Sequence, residues 1–152
     1  IFSSESSSDR SSAAVEELVN DIANKHRRPG DLNLSAGEMT MKTISNGFSI
    51  IVKELTENAF KFSKPGTPVT IKLSERNGIA EFSAHNSGMV FSEGSIQNIG
   101  VFIQFDRKLH EQQGSGLGLI ISKKIAALLH GSLDIKSSNE NGTTVRVNIP
   151  LK

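Results

Sequence analysis

The chain has 152 residues, room for one domain whose core buries most of its apolar surface. Apolar residues make up 36% and there are 13 glycines, which favours a folded chain, and a net charge of +1 speaks against a general nucleic-acid or membrane-surface footprint. The absence of cysteine removes disulfides, thiolate nucleophiles and thiolate metal sites and suits a cytoplasmic protein, and no apolar run approaches the roughly 20 residues that span a bilayer.

The sequence starts at Ile1 rather than Met, so a piece of a longer chain is expected. Residues 1–12 are mostly serine, with too few apolar groups to order themselves, and read as a flexible linker; the domain is placed at 13–152. Val15, Leu18, Val19 and Ile22 recur at helical spacing and predict a short helix over residues 13–25, ended by Pro29-Gly30. A short strand is expected from Asp31 to Ser35. The longest helical pattern runs from Met41 to Ser63, and Pro65 stops it. Val69, Ile71 and Leu73, then Ala80, Phe82 and Ala84, alternate as two strands around the turn Arg76-Asn77-Gly78. From Ser87 to Gly118 the chain is polar and glycine-rich, long enough for a binding loop or lid. Leu119 to His130 reads as a helix with Gly131 as its stop, and Leu133, Ile135, Val145, Val147 and Ile149 mark a closing hairpin. Helices interleaved with hairpins give an α+β fold, a two-layer α/β sandwich with helices on one face of a mixed, mainly antiparallel sheet.

On the long helix, Phe48, Ile51, Val52, Leu55, Ala59 and Phe62 share the core-facing arc, and Glu54, Asn58 and Lys61 stack along its flank. Such a trio can be a solvated flank with a Glu-to-Lys pair. It can equally do chemistry: an amide oxygen for a hard cation, an ammonium for phosphate, a carboxylate to take or orient a proton. Gly114, Gly116, Leu117 and Gly118 lead directly into a helix, where close backbone approach and free amides suit phosphate, although a hinge has the same composition.

The run Lys53 to Ser63 resembles the N-box of the superfamily that joins histidine kinases, type II topoisomerases, Hsp90 chaperones and mismatch-repair ATPases. That resemblance implies a Bergerat-type ATP-binding fold, with ATP and Mg2+ as cofactors. It implies that Asn58 is the metal ligand, that Glu54 polarises the attacking group and that Lys61 assists, while Glu57 falls on the far side of the wheel as surface. Residues 114–119 resemble the G2 box. Phe102 and Phe105, otherwise plain core residues, resemble the F-box with Arg107 beside them, and a mobile lid is expected from about Asp106 to Gly114. Gly142-Thr143-Thr144-Val145 resembles the G3 box, and by itself it is a hairpin turn. The order of these pieces along the chain carries the resemblance.

One piece departs from the pattern. Aligning Gly88 with the first glycine of the G1 box puts Asn86 where the family has an adenine-binding aspartate and Val90 at its second glycine. An asparagine oxygen still accepts from the adenine amine, without the charge-assisted bond. His85 reads as structural, His130 as a helix-end cation, and neither His26 nor His110 sits in a phosphoacceptor context. The resemblance thus implies a histidine-kinase catalytic domain that acts on a phosphoacceptor histidine domain, upstream or in trans, and through it on a response regulator. The isolated domain is expected to be monomeric, with no nucleic-acid partner and no membrane contact by this segment. Two alternatives share the fold: a non-catalytic nucleotide sensor or docking module, and an anti-sigma-factor-like serine kinase.

Overall fold

A computed structural model describes residues 4–37, 45–87, 116–138 and 142–151. Helix α1 (Ser4–Lys25) leads through a single 3-10 turn (Pro29–Asp31) to strand β1 (Leu32–Ala36). Helix α2 (Asn46–Lys61) and the strands β2 (Val69–Arg76) and β3 (Ile79–Asn86) follow. Helix α3 (Gly116–Leu128) and the strands β4 (Ser132–Ser138) and β5 (Gly142–Pro150) complete the described chain. The sheet order is β1-β2-β3-β5-β4, with β1 parallel to β2 and the other pairs antiparallel.

The sheet separates two environments because side chains alternate across it. Val69, Ile71 and Leu73, with Ala80, Phe82 and Ala84 and with Val145, Val147 and Ile149, are buried beneath the helices. Thr70, Lys72, Ser83, His85, Thr144 and Arg146 lie on the opposite face. The β2–β3 turn is Asn77-Gly78, both at positive φ (54° and 77°), as a two-residue hairpin requires.

Three features differ from the sequence reading. The segment expected as a linker is helical backbone from Ser4 onward, since serine is only a mediocre helix former and the apolar turns after Ala13 supply a nucleus to extend. Helix α2 buries more than one stripe: Thr56 and Phe60, outside the expected arc, are as buried as Ile51, because α1 covers a second side of the helix. At the end of α3 the left-handed position is His130 (φ 66°), not Gly131. His130 N bonds Ala127 O and Gly131 N bonds Ala126 O, a Schellman ending one residue earlier than the glycine suggests. Gly131 is required for another reason: a Cβ there would collide with the backbone oxygen of Asn148 on β5.

Candidate functional site

Helix α2 starts at Ser45, whose side chain accepts from Phe48 N at 3.1 Å, and its phase delivers Asn58 into the interior near the other end. Asn58 is 7% exposed, and its Nδ2 has no hydrogen-bond partner. It faces a cavity walled by Leu55, Ala59 and Phe62 of α2, Ala84 of β3, Leu119 of α3 and Val145 of β5. The polar groups in that lining are Asn58, Asn86 and Thr143.

Asn86 ends β3 and pairs in register with Thr143 of β5, so two pieces far apart in sequence become neighbours. Its Nδ2 is also buried without a partner, while Thr143 shares a 2.7 Å hydroxyl contact with Ser137 of β4. Gly142 makes the junction possible. Its φ is +76°, and a Cβ would run into the carbonyl oxygen of Asn86.

The third side is the helix pair. A Cβ at Gly47 would touch Ile125, and a Cβ at Gly118 would lie 2.5 Å from Glu54 Oε1, so α2 and α3 run antiparallel in close contact at both ends. The Glu54 carboxylate thus rests against the first turn of α3, the positive end of that helix. Gly116 and Leu117 open the helix. Lys61 is exposed and outside the cavity lining, so the flank of the helical wheel divides: Asn58 inward, Glu54 toward α3, Lys61 outward. Gly88, Phe102, Phe105, Arg107 and Gly114, with the expected lid, lie outside the described residues.

Two residues that fasten this site are not evident in the sequence. Arg28 is 8% exposed, and all five of its N–H groups have acceptors. Nε donates to Asp31, Nη1 to the carbonyls of Phe60 and Ser63, and Nη2 to those of Lys64 and Thr67, at 2.8 to 3.1 Å. The guanidinium also lies over the Phe60 ring, 5.1 Å from its centroid. It therefore closes the last turn of α2, the turn that carries Asn58 and Phe62. Glu57, read as surface, ties α2 to α1 through His26 Nε2 (2.8 Å) and Lys25 Nζ (3.1 Å). Burial raises its carboxyl pKa, but the hydrogen bonds from His26 and Lys25 and their charges outweigh that and hold it below the ordinary value. Nothing local in the sequence marks either residue for this role.

The cavity fits a flat heterocycle in chemistry: mostly apolar walls and two amides with unspent donors to orient a polar edge. It is narrow, with about 20 Å³ of free space, room for one water. Phe62 is the one lining side chain that is only half-buried.

The sequence profile described as "Histidine kinase-, DNA gyrase B-, and HSP90-like ATPase" matches residues 43–152. The chain belongs to this family. Among relatives of this ATPase domain, the heme sensor protein HssS of Staphylococcus haemolyticus is 32% identical over 96 residues, covering 63% of the chain and 21% of that protein. The histidine protein kinase DivJ of Caulobacter vibrioides is 30% identical over 124 residues, covering 81% of the chain and 20% of that protein. The chain thus spans about a fifth of the length of these relatives. Its fold matches the mycobacterial sensor histidine kinase MprB with a TM-score of 0.71 at 21% identity, over 91% of this chain and 92% of that one. Full-length ShkA, solved with AMPPNP, matches with a TM-score of 0.67 at 20% identity, over 91% of this chain and 28% of that one. These findings make the chain an ATP-binding domain of the sensor histidine kinase type, with the α+β sandwich expected from its sequence.

Proposed function

We propose that this ATPase domain binds Mg-ATP between α2, α3 and the β3–β5 wall and passes the γ-phosphate to a histidine on a phosphoacceptor domain, upstream or in trans. A response regulator is the onward acceptor. The observation that carries this reading is the pair of buried, unpartnered amides, Asn58 and Asn86, facing one apolar cavity from opposite walls. Asn86 is suited to the edge of the base, with Phe62 and Leu119 against its faces. Asn58, near the end of α2, offers its oxygen to a cation that the phosphates share, once the amide is turned over, and the ion spreads phosphate charge when bound.

The residues around the phosphates act by position. Gly118 lets the chain pass close to Glu54, so the carboxylate and the first turn of α3 face the same small volume. There Glu54 can hold the attacking imidazole by its N–H, while phosphorus exchanges its bond to the ADP oxygen for one to nitrogen. Lys61, outside the cavity lining, supplies a cation, and Arg107 is a further candidate from its place beside the F-box-like phenylalanines in the sequence. ATP supply makes the cytoplasm the compartment this reading requires.

Calorimetry with a non-hydrolysable ATP analogue, with and without magnesium, tests the site. The parent chain should bind more tightly with magnesium, and Asn58→Ala should lose that increment while unfolding at a similar temperature. Radiolabel from ATP should then reach an added phosphoacceptor domain as acid-labile, base-stable phosphate, and should not accumulate on the domain alone. Magnesium-independent binding by the parent would refute the role of Asn58, and label on the isolated chain would refute transfer in trans or from upstream.

A further inference from the structure

We propose that the open face of the sheet holds a second ligand site, for a small oxyanion of the phosphate type, back to back with the nucleotide cavity. That face is hollowed by the sheet's twist into a depression of about 480 Å³, within the size range of small-ligand sites. Antiparallel sheets commonly turn one polar face to water, so polarity alone means little. The arrangement of charges and hydroxyls in this hollow is what points to a ligand.

Register builds two adjoining rows across β2, β3 and β5. One is Lys72, Ser83, Arg146 and the other is Thr70, His85, Thr144. Each of these six side chains can donate a hydrogen bond, and cross-strand neighbours stand about 5 Å apart, close enough for one tetrahedral anion to span. Ser83 has a cation on either side. Arg146 is paired through Nε with Glu81 Oε2 at 2.7 Å, which holds its guanidinium over this face. His85 engages Thr144 Oγ1 through Nδ1 at 2.7 Å, so Nε2 is the nitrogen left for a ligand.

The charge balance favours an anion. Lys72 and Arg146 outweigh Glu81 in the lining, and Lys136 and Asp134, which pair with Thr144 and Arg146 from β4, cancel each other. The site does not depend on the nucleotide reading. It shares β3 and β5 with the cavity, but every residue it uses points the other way.

Sulfate is the probe, a tetrahedral anion of fixed charge. Sulfate is titrated into the isotope-labelled chain at matched ionic strength against chloride, and amide shifts are followed by NMR. Saturable shifts are expected in residues 70–74, 81–85 and 144–146. Lys72→Met and Arg146→Met should each weaken binding about tenfold with the rest of the spectrum unchanged. At pH 8, glycerol phosphate binding more tightly than inorganic phosphate assigns a phosphate ester as ligand, and equal binding assigns the bare ion. Shifts that grow linearly and equally in sulfate and chloride overturn the proposal. So do shifts confined to residues 116–119, which would place the anion at α3, and so does unaltered binding by both methionine variants.

Discussion

The two walls of the cavity proposed for nucleotide are held in different ways. Asn86 belongs to β3, which is paired along its eight residues with β2 on one side and β5 on the other, so its position is set by backbone bonds on both edges. Asn58 stands in the last turn of α2, where a helix has run out of its own donors and its final carbonyls need partners from elsewhere. Here Phe62 N bonds the Asn58 carbonyl, the Ser63 hydroxyl bonds that of Ala59, and Arg28 bonds that of Phe60 and those of Ser63, Lys64 and Thr67 in the turn that follows. A strand in mid-sheet tolerates the loss of any one outlying side chain, whereas a helix end carrying a functional group depends on whatever caps it.

The largest effect should therefore come from Arg28→Met. It deletes five hydrogen bonds, leaves the Asp31 carboxylate without its cation and uncovers the Phe60 carbonyl of α2 and those of Ser63, Lys64 and Thr67 just beyond it. A loss of about 3 kcal/mol in urea unfolding is expected, with weaker nucleotide binding at temperatures where the variant is folded. Arg28→Lys keeps the charge but lacks the planar fork and should recover only part of either loss. If both variants bind nucleotide like the parent, the end of α2 does not need this clamp.

The strand wall has one weak point, and it is backbone. Gly142→Ala would place a Cβ at φ +76° against the carbonyl oxygen of Asn86, and neither atom can rotate away as a side chain could. About 2 kcal/mol of destabilisation is expected, together with a displaced Asn86 and lower affinity. Thermal unfolding and calorimetry on the same protein check both. A neutral outcome would show that the β4–β5 turn can shift without disturbing β3.

The same contrast explains what could be read in advance. Strand alternation and the Asn77-Gly78 turn are local signals, and each was legible and is present. Asn58 was read on the flank of the helix with Glu54 and Lys61, and it is buried while Lys61 is exposed. The pairing of Asn86 with Thr143 was expected only as an order of motifs, since register between distant strands is set by the whole sheet. Arg28 and the burial of Phe60 were not legible, because both depend on α1 and α2 meeting across a sequence gap with no periodic trace. Gly131 was read as the residue that takes the left-handed position, and its actual constraint is the approach of β5. Residues 4–12, read as linker from their composition, continue the backbone of α1, because composition measures burial, not whether a neighbouring helix can propagate.

A smaller effect tests the strand wall at its functional residue. Asn86→Asp would restore a charge-assisted bond to the adenine amine, raising ATP affinity about fivefold and widening the preference over GTP, whose carbonyl a carboxylate repels. The site is 6% exposed and mostly apolar, so without nucleotide the new carboxylate is poorly solvated and the free protein should unfold more easily. Tighter ATP binding with a less stable free state is the expected signature, read by titrating both nucleotides and by urea unfolding. An unchanged ATP-to-GTP ratio would mean that Asn86 does not meet the base.

The smallest effect probes the helix wall away from Arg28, at the link between α2 and α1. Glu57 has its carboxyl held below the ordinary value of 4.5, burial being outweighed by the hydrogen bonds from His26 and Lys25. In the interval below 4.5 the unfolded chain binds a proton at this group that the folded chain does not. Its contribution to stability is therefore complete above the unfolded value and fades as the pH falls through the lower folded one. Lys25 is 68% exposed at its side chain, so salt screens that part, and the contribution is modest. Asp31 shifts in the same direction through Arg28 and the Gly66 amide, so acid sensitivity of the parent alone does not isolate Glu57. The difference between parent and Glu57→Gln does: the parent should lose more stability than the variant between pH 7 and pH 3, measured by urea midpoints, and high salt should shrink the gap. Parallel losses in the two proteins would show that the carboxylate adds nothing to the docking of α1, leaving Arg28 as the fastening of the helix wall.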